Sequence, residues 1–219
     1  VPAPSPVAVA VAEQLSIGDE HLAEVIGLVG LPPARRAIPV TRRFESLATA
    51  ILHQQLAGKA AATITARSIE ALGALAPEPI LSCDEATLRS CGVSGAKAAA
   101  LRDLAARVAS GQLDLGALGR RSDDEVVDAL VAVRGIGRWT AEMFLMGPLG
   151  RPDVWPVGDL GVRSGWALIS GEPARPATEL VAAADHLRPL RSSVAWYCWQ
   201  AVDLARTNGG LLPGEGALR

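Results

Sequence analysis

Two glycines one residue apart, and an aspartate beyond them, have the types and spacing that point to chemistry. In Val133-Arg134-Gly135-Ile136-Gly137-Arg138-Trp139-Thr140-Ala141 the glycines stand between two helical patterns. Glycine tolerates positive φ and lets a ligand approach the backbone, while the first N–H groups of the next helix point outward at the positive end of its dipole. Such a turn either simply joins two helices or cradles an anion, and a DNA phosphate is a natural occupant. A dinucleotide-binding fingerprint is disfavoured, because no strand precedes the glycines and no third glycine follows at the required place. Farther on, Asp159 follows a Pro/Gly turn (Pro156-Val157-Gly158) at the start of another helical pattern. A carboxylate there is an N-cap, or a functional group held at a helix terminus.

Other chemistries have no residues to carry them. The three cysteines, Cys83, Cys91 and Cys198, are odd in number and lack C-x-x-C spacing, so they supply no disulfide framework, zinc site or four-cysteine iron–sulfur cluster. They read as buried thiols. Lys and Arg number 21 against 23 Asp and Glu, and the net charge of -2 argues mildly against a nucleic-acid partner. Lysine, however, occurs only at Lys59 and Lys97. Nearly all the positive charge is arginine, which suits bidentate phosphate contacts and equally suits surface ion pairs.

The elements that must position these residues are helices. With 219 residues, 49% of them hydrophobic, the chain can form one large or two small domains and bury a core without staples. Disorder and collagen are excluded. No apolar run reaches membrane-helix length and the start lacks the basic region of a signal peptide, so a cytoplasmic protein without a membrane partner is expected. Period-2 alternation is almost absent, and the chain reads as all-α. Helices are predicted over 19–29, 43–55, 59–72, 84–91, 95–110, 122–132, 138–147, 159–170, 177–187 and 191–206. Gly/Pro clusters at 30–33, 76–79, 147–148 and 171–173 punctuate them, and residues 1–15 and 208–219 read as loosely held ends. Ser122-Asp123-Asp124-Glu125 fits a capping box.

Gly135-Ile136-Gly137-Arg138-Trp139-Thr140-Ala141, followed by Pro156-Val157-Gly158-Asp159-Leu160-Gly161 in the pattern Pro-x-x-Asp-x-Gly, resembles the helix-hairpin-helix DNA glycosylase superfamily, in the branch of bacterial 3-methyladenine DNA glycosylase II. Phe44-Glu45-Ser46-Leu47, Ile51-Leu52-His53-Gln54-Gln55-Leu56 and Lys59-Ala60-Ala61 are similar to its early helix and the loop that enters DNA. Arg188-Pro189-Leu190-Arg191-Ser192 through Trp196-Tyr197-Cys198-Trp199 resembles its final helix. The likeness runs in order over residues 40–205. It departs at Arg134, where the family often has proline, and at Leu190, where it often has an aromatic. The residues before position 40 leave no room for the N-terminal β domain of the best-known bacterial member, so the compact form is expected.

The resemblance implies an all-α, bilobal helix-hairpin-helix fold with DNA and the active site in the inter-lobe cleft. Residues 43–150 would be the central lobe, and 1–42 with 151–219 the second. It implies a monofunctional base-excision-repair glycosylase that hydrolyses the N-glycosidic bond of alkylated purines, of the 3-methyladenine and 7-methylguanine type, in damaged double-stranded DNA. The product would be an abasic site. Asp159 would be the catalytic carboxylate, stabilising an oxocarbenium-like sugar. Trp139, Trp199, Trp196 and Met143 would bind the flipped base, with indoles favouring an electron-poor alkylated purine; Trp166 is expected in the core.

Gln54, Gln55 and Leu56 would fill the gap left by the flipped nucleotide, or else form an ordinary capped turn. Gly135, Gly137, Arg138 and Thr140 would contact DNA, with Arg134, Arg138 and Arg163 making a local cationic face. His53 is a core-edge histidine or a DNA contact. Strand-cleaving members of the superfamily have lysine where Trp139 stands, so no Schiff base is expected. No cofactor is required; the resemblance alone implies a structural Na+ or K+ on the backbone carbonyls of Val131, Val133 and Ile136. The chain would act as a monomer. The alternative is a non-catalytic helix-hairpin-helix protein that binds DNA structure. Substrate range depends on pocket width, which residue types do not give.

Overall fold

The computed structural model describes residues 6–207, and every regular element among them is helical. α1 (Pro6–Gly18) and α2 (Glu20–Val29) come first. α3 (Val40–His53), α4 (Gly58–Leu72), α5 (Pro77–Ser82), α6 (Glu85–Ser90), α7 (Gly95–Ala109), α8 (Asp123–Val131) and α9 (Arg138–Met146) follow. α10 (Leu160–Ser170), α11 (Ala177–Leu180) and α12 (Arg191–Thr207) complete the order. The helices form two compact units: residues 6–36 with 151–207, and residues 37–150. Among the described residues no helix is long and apolar enough to cross a membrane.

Local chemistry sets several helix starts. Asp19, Asp84 and Ser94 each accept a hydrogen bond from a backbone N–H of the first turn of α2, α6 and α7. The capping box is present at α8: the Glu125 N–H donates to Ser122 Oγ (3.3 Å) and the Ser122 N–H to Glu125 Oε2 (2.7 Å). In the second unit, α3 buries Phe44, Leu47, Ala48, Ile51 and Leu52 along one stripe. The helical period places them together, and each large side chain contributes roughly 1.5–3 kcal/mol on burial.

Three expectations fail. Residues 6–15, read as part of a loose end, belong to α1, which packs on α2 and buries Ala8, Ala12 and Leu15. Alanines make a stripe too weakly apolar to stand out in sequence. The Pro-rich stretch 76–79, read as a break, instead opens α5, because Pro77 occupies its first turn, where no N–H is needed and φ is already helical. The stretch 177–187 is not one helix but α11 and a 3-10 turn, Asp185–Leu187. Residues 208–219 lie outside the described residues.

In the first unit, the loop that leads to Asp159 is fastened to the start of α12. The buried Arg191 donates to Asp153 from Nε (2.8 Å) and Nη2 (3.0 Å), and Ser192 Oγ accepts from the Val154 N–H (2.9 Å) and donates to the Arg151 carbonyl (2.8 Å). Burial pushes the Asp153 carboxyl up, but hydrogen bonds from Arg191 and the charges of Arg191 and Arg188 outweigh it, so it lies below the usual carboxylate range. A carboxyl lowered in the folded state stabilises fully above its unfolded value, and the contribution is lost as pH falls through the folded one. Asp153→Asn should therefore cost roughly 2 kcal/mol at neutral pH and leave thermal melts less acid-sensitive between pH 6 and 3. Parallel wild-type and variant melting curves over that range would contradict this.

Candidate active site and nucleic-acid interface

Asp159 caps α10. Its Oδ1 accepts the Val162 N–H (2.8 Å) and the Trp199 indole Nε1–H (3.0 Å), so a carboxylate at a helix N-terminus also receives a side-chain donor from α12. The two donors hold that oxygen in place from α10 and α12 at once. Gly161 makes the indole contact possible. A Cβ on Gly161 would lie 2.8 Å from Trp199 Cδ1 and 3.0 Å from Asp159 Oδ1, which gives the Asp-x-Gly spacing a steric reason. Four residues on, α10 meets α12 backbone to backbone: a Cβ on Gly165 would stand 2.0 Å from the Cys198 carbonyl oxygen. The Cys198 thiol is fully buried, and its pKa is pushed far up by burial and then by the negative charge of Asp159. It is inert as a nucleophile.

In the second unit, the stretch between α8 and α9 is a tight hairpin. Gly135 has φ +78° and a Cβ there would lie 3.0 Å from that of Ala100, so glycine is required. Gly137 is different. Its backbone is ordinary extended (φ −94°, ψ 171°), and a Cβ there would meet nothing within 4 Å. It caps α9 with no side-chain hydrogen bond, on an exposed surface. An uncapped helix start with open space before it can receive a phosphate.

The Gln54-Gln55-Leu56 turn is held from two sides. Gln54 Nε2 donates to the Gly135 carbonyl (2.9 Å), while Lys97 Nζ donates to the carbonyls of Leu52 (2.7 Å) and Gln54 (2.8 Å). Gln55 takes φ +56°, and Leu56 is 39% exposed. The Arg134 N–H donates to Asp103 Oδ2 (2.8 Å), and that bond, against burial, holds the Asp103 carboxyl below its ordinary range.

The remaining predicted site residues fall in contrasting places. Trp139 is 50% exposed on the first turn of α9, and Arg138 beside it pairs with Glu142 (2.9 Å). Thr140, expected to contact DNA, is buried, because its side of the first turn of α9 faces the core; only its backbone remains for that role. Met143 is half-buried and lines a small cavity of about 90 Å³ together with Thr140, Leu47 and Phe144. Trp196 and Trp199 are half-buried on α12, Trp196 edge-on to Tyr197 with ring centroids 4.9 Å apart. Trp155 and Trp166 are buried against each other in a T-shaped pair, so Trp166 is a core residue as expected. His53 Nε2 lies 3.1 Å from Thr65 Oγ1 on the surface. Arg134 and Arg138 are exposed on the hairpin, but Arg163 belongs to the other unit and its Nε is buried.

Of the three hairpin carbonyls expected to hold a cation, that of Val133 accepts the Ile136 N–H (3.1 Å), and Val131 ends α8, where carbonyls have no intrahelical partner. These are hard oxygen donors of the kind Na+ or K+ takes. No cluster of three or more His, Cys, Asp or Glu among the described residues could hold a metal.

A family profile, the HhH-GPD superfamily of base excision DNA repair proteins, matches residues 48–186. The chain belongs to that superfamily. The matched region includes the hairpin and Asp159, while Trp199 lies beyond it. DNA-3-methyladenine glycosylase 1 of Schizosaccharomyces pombe is 34% identical over 192 residues, covering 85% of this chain and 84% of that protein. Two solved structures of the superfamily's fold are similar. The Schizosaccharomyces pombe 3-methyladenine DNA glycosylase Mag1, in complex with abasic DNA, has TM-score 0.79 at 32% identity over 90% of this chain and 98% of that one. A DNA-3-methyladenine glycosidase from Bacillus halodurans has TM-score 0.79 at 32% identity over 92% of both. The resemblance read from the motifs and the all-helical fold are both borne out.

Sequence reasoning gave no role to Gly165, Lys97 or Asp103, and it met Gly161 only as part of a pattern. Their partners lie on other helices, and nothing local marks them.

Proposed function

We propose that this superfamily member uses Asp159 to stabilise the cationic sugar while water replaces an alkylated purine at C1′ of the nucleotide. The activity class is that of a base-excision-repair DNA glycosylase, a hydrolase of the N-glycosidic bond of alkylated bases; relatives at 34% and 31% identity are named DNA-3-methyladenine glycosylases. The observation that carries the assignment of Asp159 is its fixed carboxylate at the N-terminus of α10, oriented by the Trp199 indole over Gly161. As the C1′–N bond breaks, its electron pair leaves with the base and neutralises the charge that alkylation placed there. The sugar becomes cationic, water supplies the oxygen to C1′, and a proton is released. A preorganised anion lowers the energy of that transition state. An alkylated purine is already a good leaving group, so no separate general acid is needed.

Double-stranded DNA is bound by one monomer through the hairpin N–H groups at Gly137 and Arg138 and the Gln54-Gln55-Leu56 turn, and Trp199, beside Asp159, receives the flipped base. The carbonyls of Val131, Val133 and Ile136 would hold a monovalent cation, which adds positive charge beside a bound phosphate. The chemistry stops at the abasic site. Trp139 supplies no amine, and the Lys97 ammonium is engaged with two backbone carbonyls. Incubation with methylated duplex DNA, with products resolved by chromatography, should give free 3-methyladenine or 7-methylguanine and an intact abasic strand. Borohydride should trap no covalent adduct; trapping at the level of a lyase would overturn the monofunctional assignment.

A further inference from the structure

α7 supports both DNA-facing elements of the second unit. Along one face, Lys97, Ala100 and Asp103 recur every third residue and meet the turn after α3, Gly135 and the Arg134 N–H respectively. Lysine at a helix C-terminus ordinarily caps the last carbonyls. Lys97 does more, because its ammonium reaches past the Leu52 carbonyl of α3 to that of Gln54 in the turn itself. The Gln54 side chain in turn bonds to Gly135, 81 residues away, joining turn and hairpin directly. Gln55 sits in the left-handed region, a conformation that a non-glycine residue keeps only where its surroundings over-determine it. The turn so constrained carries the exposed Leu56.

We propose that Lys97 and Gln54 are positioning residues that lock the Gln54-Gln55-Leu56 turn to the hairpin, so that the turn holds the duplex open at a fixed distance from the gripped phosphates. This rests on the glycosylase reading above. Nucleotide extrusion costs a few kcal/mol in a paired duplex and little where the base is already unpaired. A loosened turn should therefore slow reaction only where the enzyme must open the duplex, whereas general structural damage slows both cases alike.

Single-turnover base release is measured on 7-methylguanine in a fully paired duplex and in a bubble of mismatches. Lys97→Met and Gln54→Leu are each expected to slow release from the paired substrate about tenfold and from the bubble less than about twofold. Lys97→Arg, which keeps two donors, should recover most of the paired rate. Equal slowing on both substrates, or none on the paired one, would overturn the proposal. Gln54→Leu removes the turn's bond to the Gly135 carbonyl and leaves the Lys97 contacts to the backbone in place, so it serves as the test should Lys97→Met fail to fold. A second readout needs no chemistry: fluorescence of 2-aminopurine placed beside an abasic site, at saturating enzyme. Wild type should raise it through unstacking, and either variant should reduce the rise by about half. An unchanged rise overturns the locking role whatever the base-release result. A rise lost in the variants, with no base released by wild type, overturns the glycosylase reading and sustains the lock.

Discussion

Asp159→Asn is expected to slow base release by two to three orders of magnitude, about 3–4 kcal/mol of transition-state stabilisation, while binding to abasic-site DNA changes little. The substitution is chosen because the structure gives Asp159 two jobs. It caps α10 through the Val162 N–H and accepts the Trp199 indole on the same oxygen. Asparagine caps helices as well as aspartate does, and its side-chain carbonyl can accept both donors. What it cannot supply is negative charge. Melting temperature and DNA affinity should therefore stay near wild type while the single-turnover rate falls, and the fall should appear in kcat rather than KM. Base release at the wild-type rate would remove Asp159 from the catalytic role and favour a protein that grips DNA structure without chemistry.

Helices were legible in the sequence wherever a polar side chain opens them, as at Asp19, Asp84, Ser94 and Ser122, because such a cap is settled by three or four consecutive residues. α1 and α5 escaped notice because one is built on alanine and the other opens on proline, which in sequence looks like a break. The site was legible as types and spacing but not as causes. Gly135 and Gly137 look equivalent in the chain, yet positive φ and contact with Ala100 demand glycine at the first alone. The value of glycine at the second is open space before an uncapped helix. Asp159 read equally well as a cap or a functional carboxylate, and the structure builds the cap. The contact that aims it comes from Trp199, forty residues later, through space that Gly161 leaves empty. Lys97 and Asp103 act across separations of 43 and 31 residues, where periodicity carries no signal.

Gly165→Ala tests how firmly that aim is held, since two physical effects predict opposite signs. Within an isolated helix, alanine is better than glycine by about 1 kcal/mol, so propensity alone would stabilise α10. Packing opposes this. The added Cβ would lie 2.0 Å from the Cys198 carbonyl oxygen, 2.4 Å from its carbon and 2.5 Å from its Cα. These are backbone atoms within α12 and cannot rotate aside, so one helix must shift away from the other, at a cost of roughly 3 kcal/mol or more. Packing wins by that comparison, and the melting temperature should fall by about 5–10 °C. Displacing α10 from α12 also draws Asp159 from the Trp199 indole, because the aspartate is the cap of the helix that moves. Base release measured well below the melting transition should therefore decline as well, although Gly165 touches no substrate. A variant that melts at or above the wild-type temperature would mean that the backbones of α10 and α12 do not meet at Gly165.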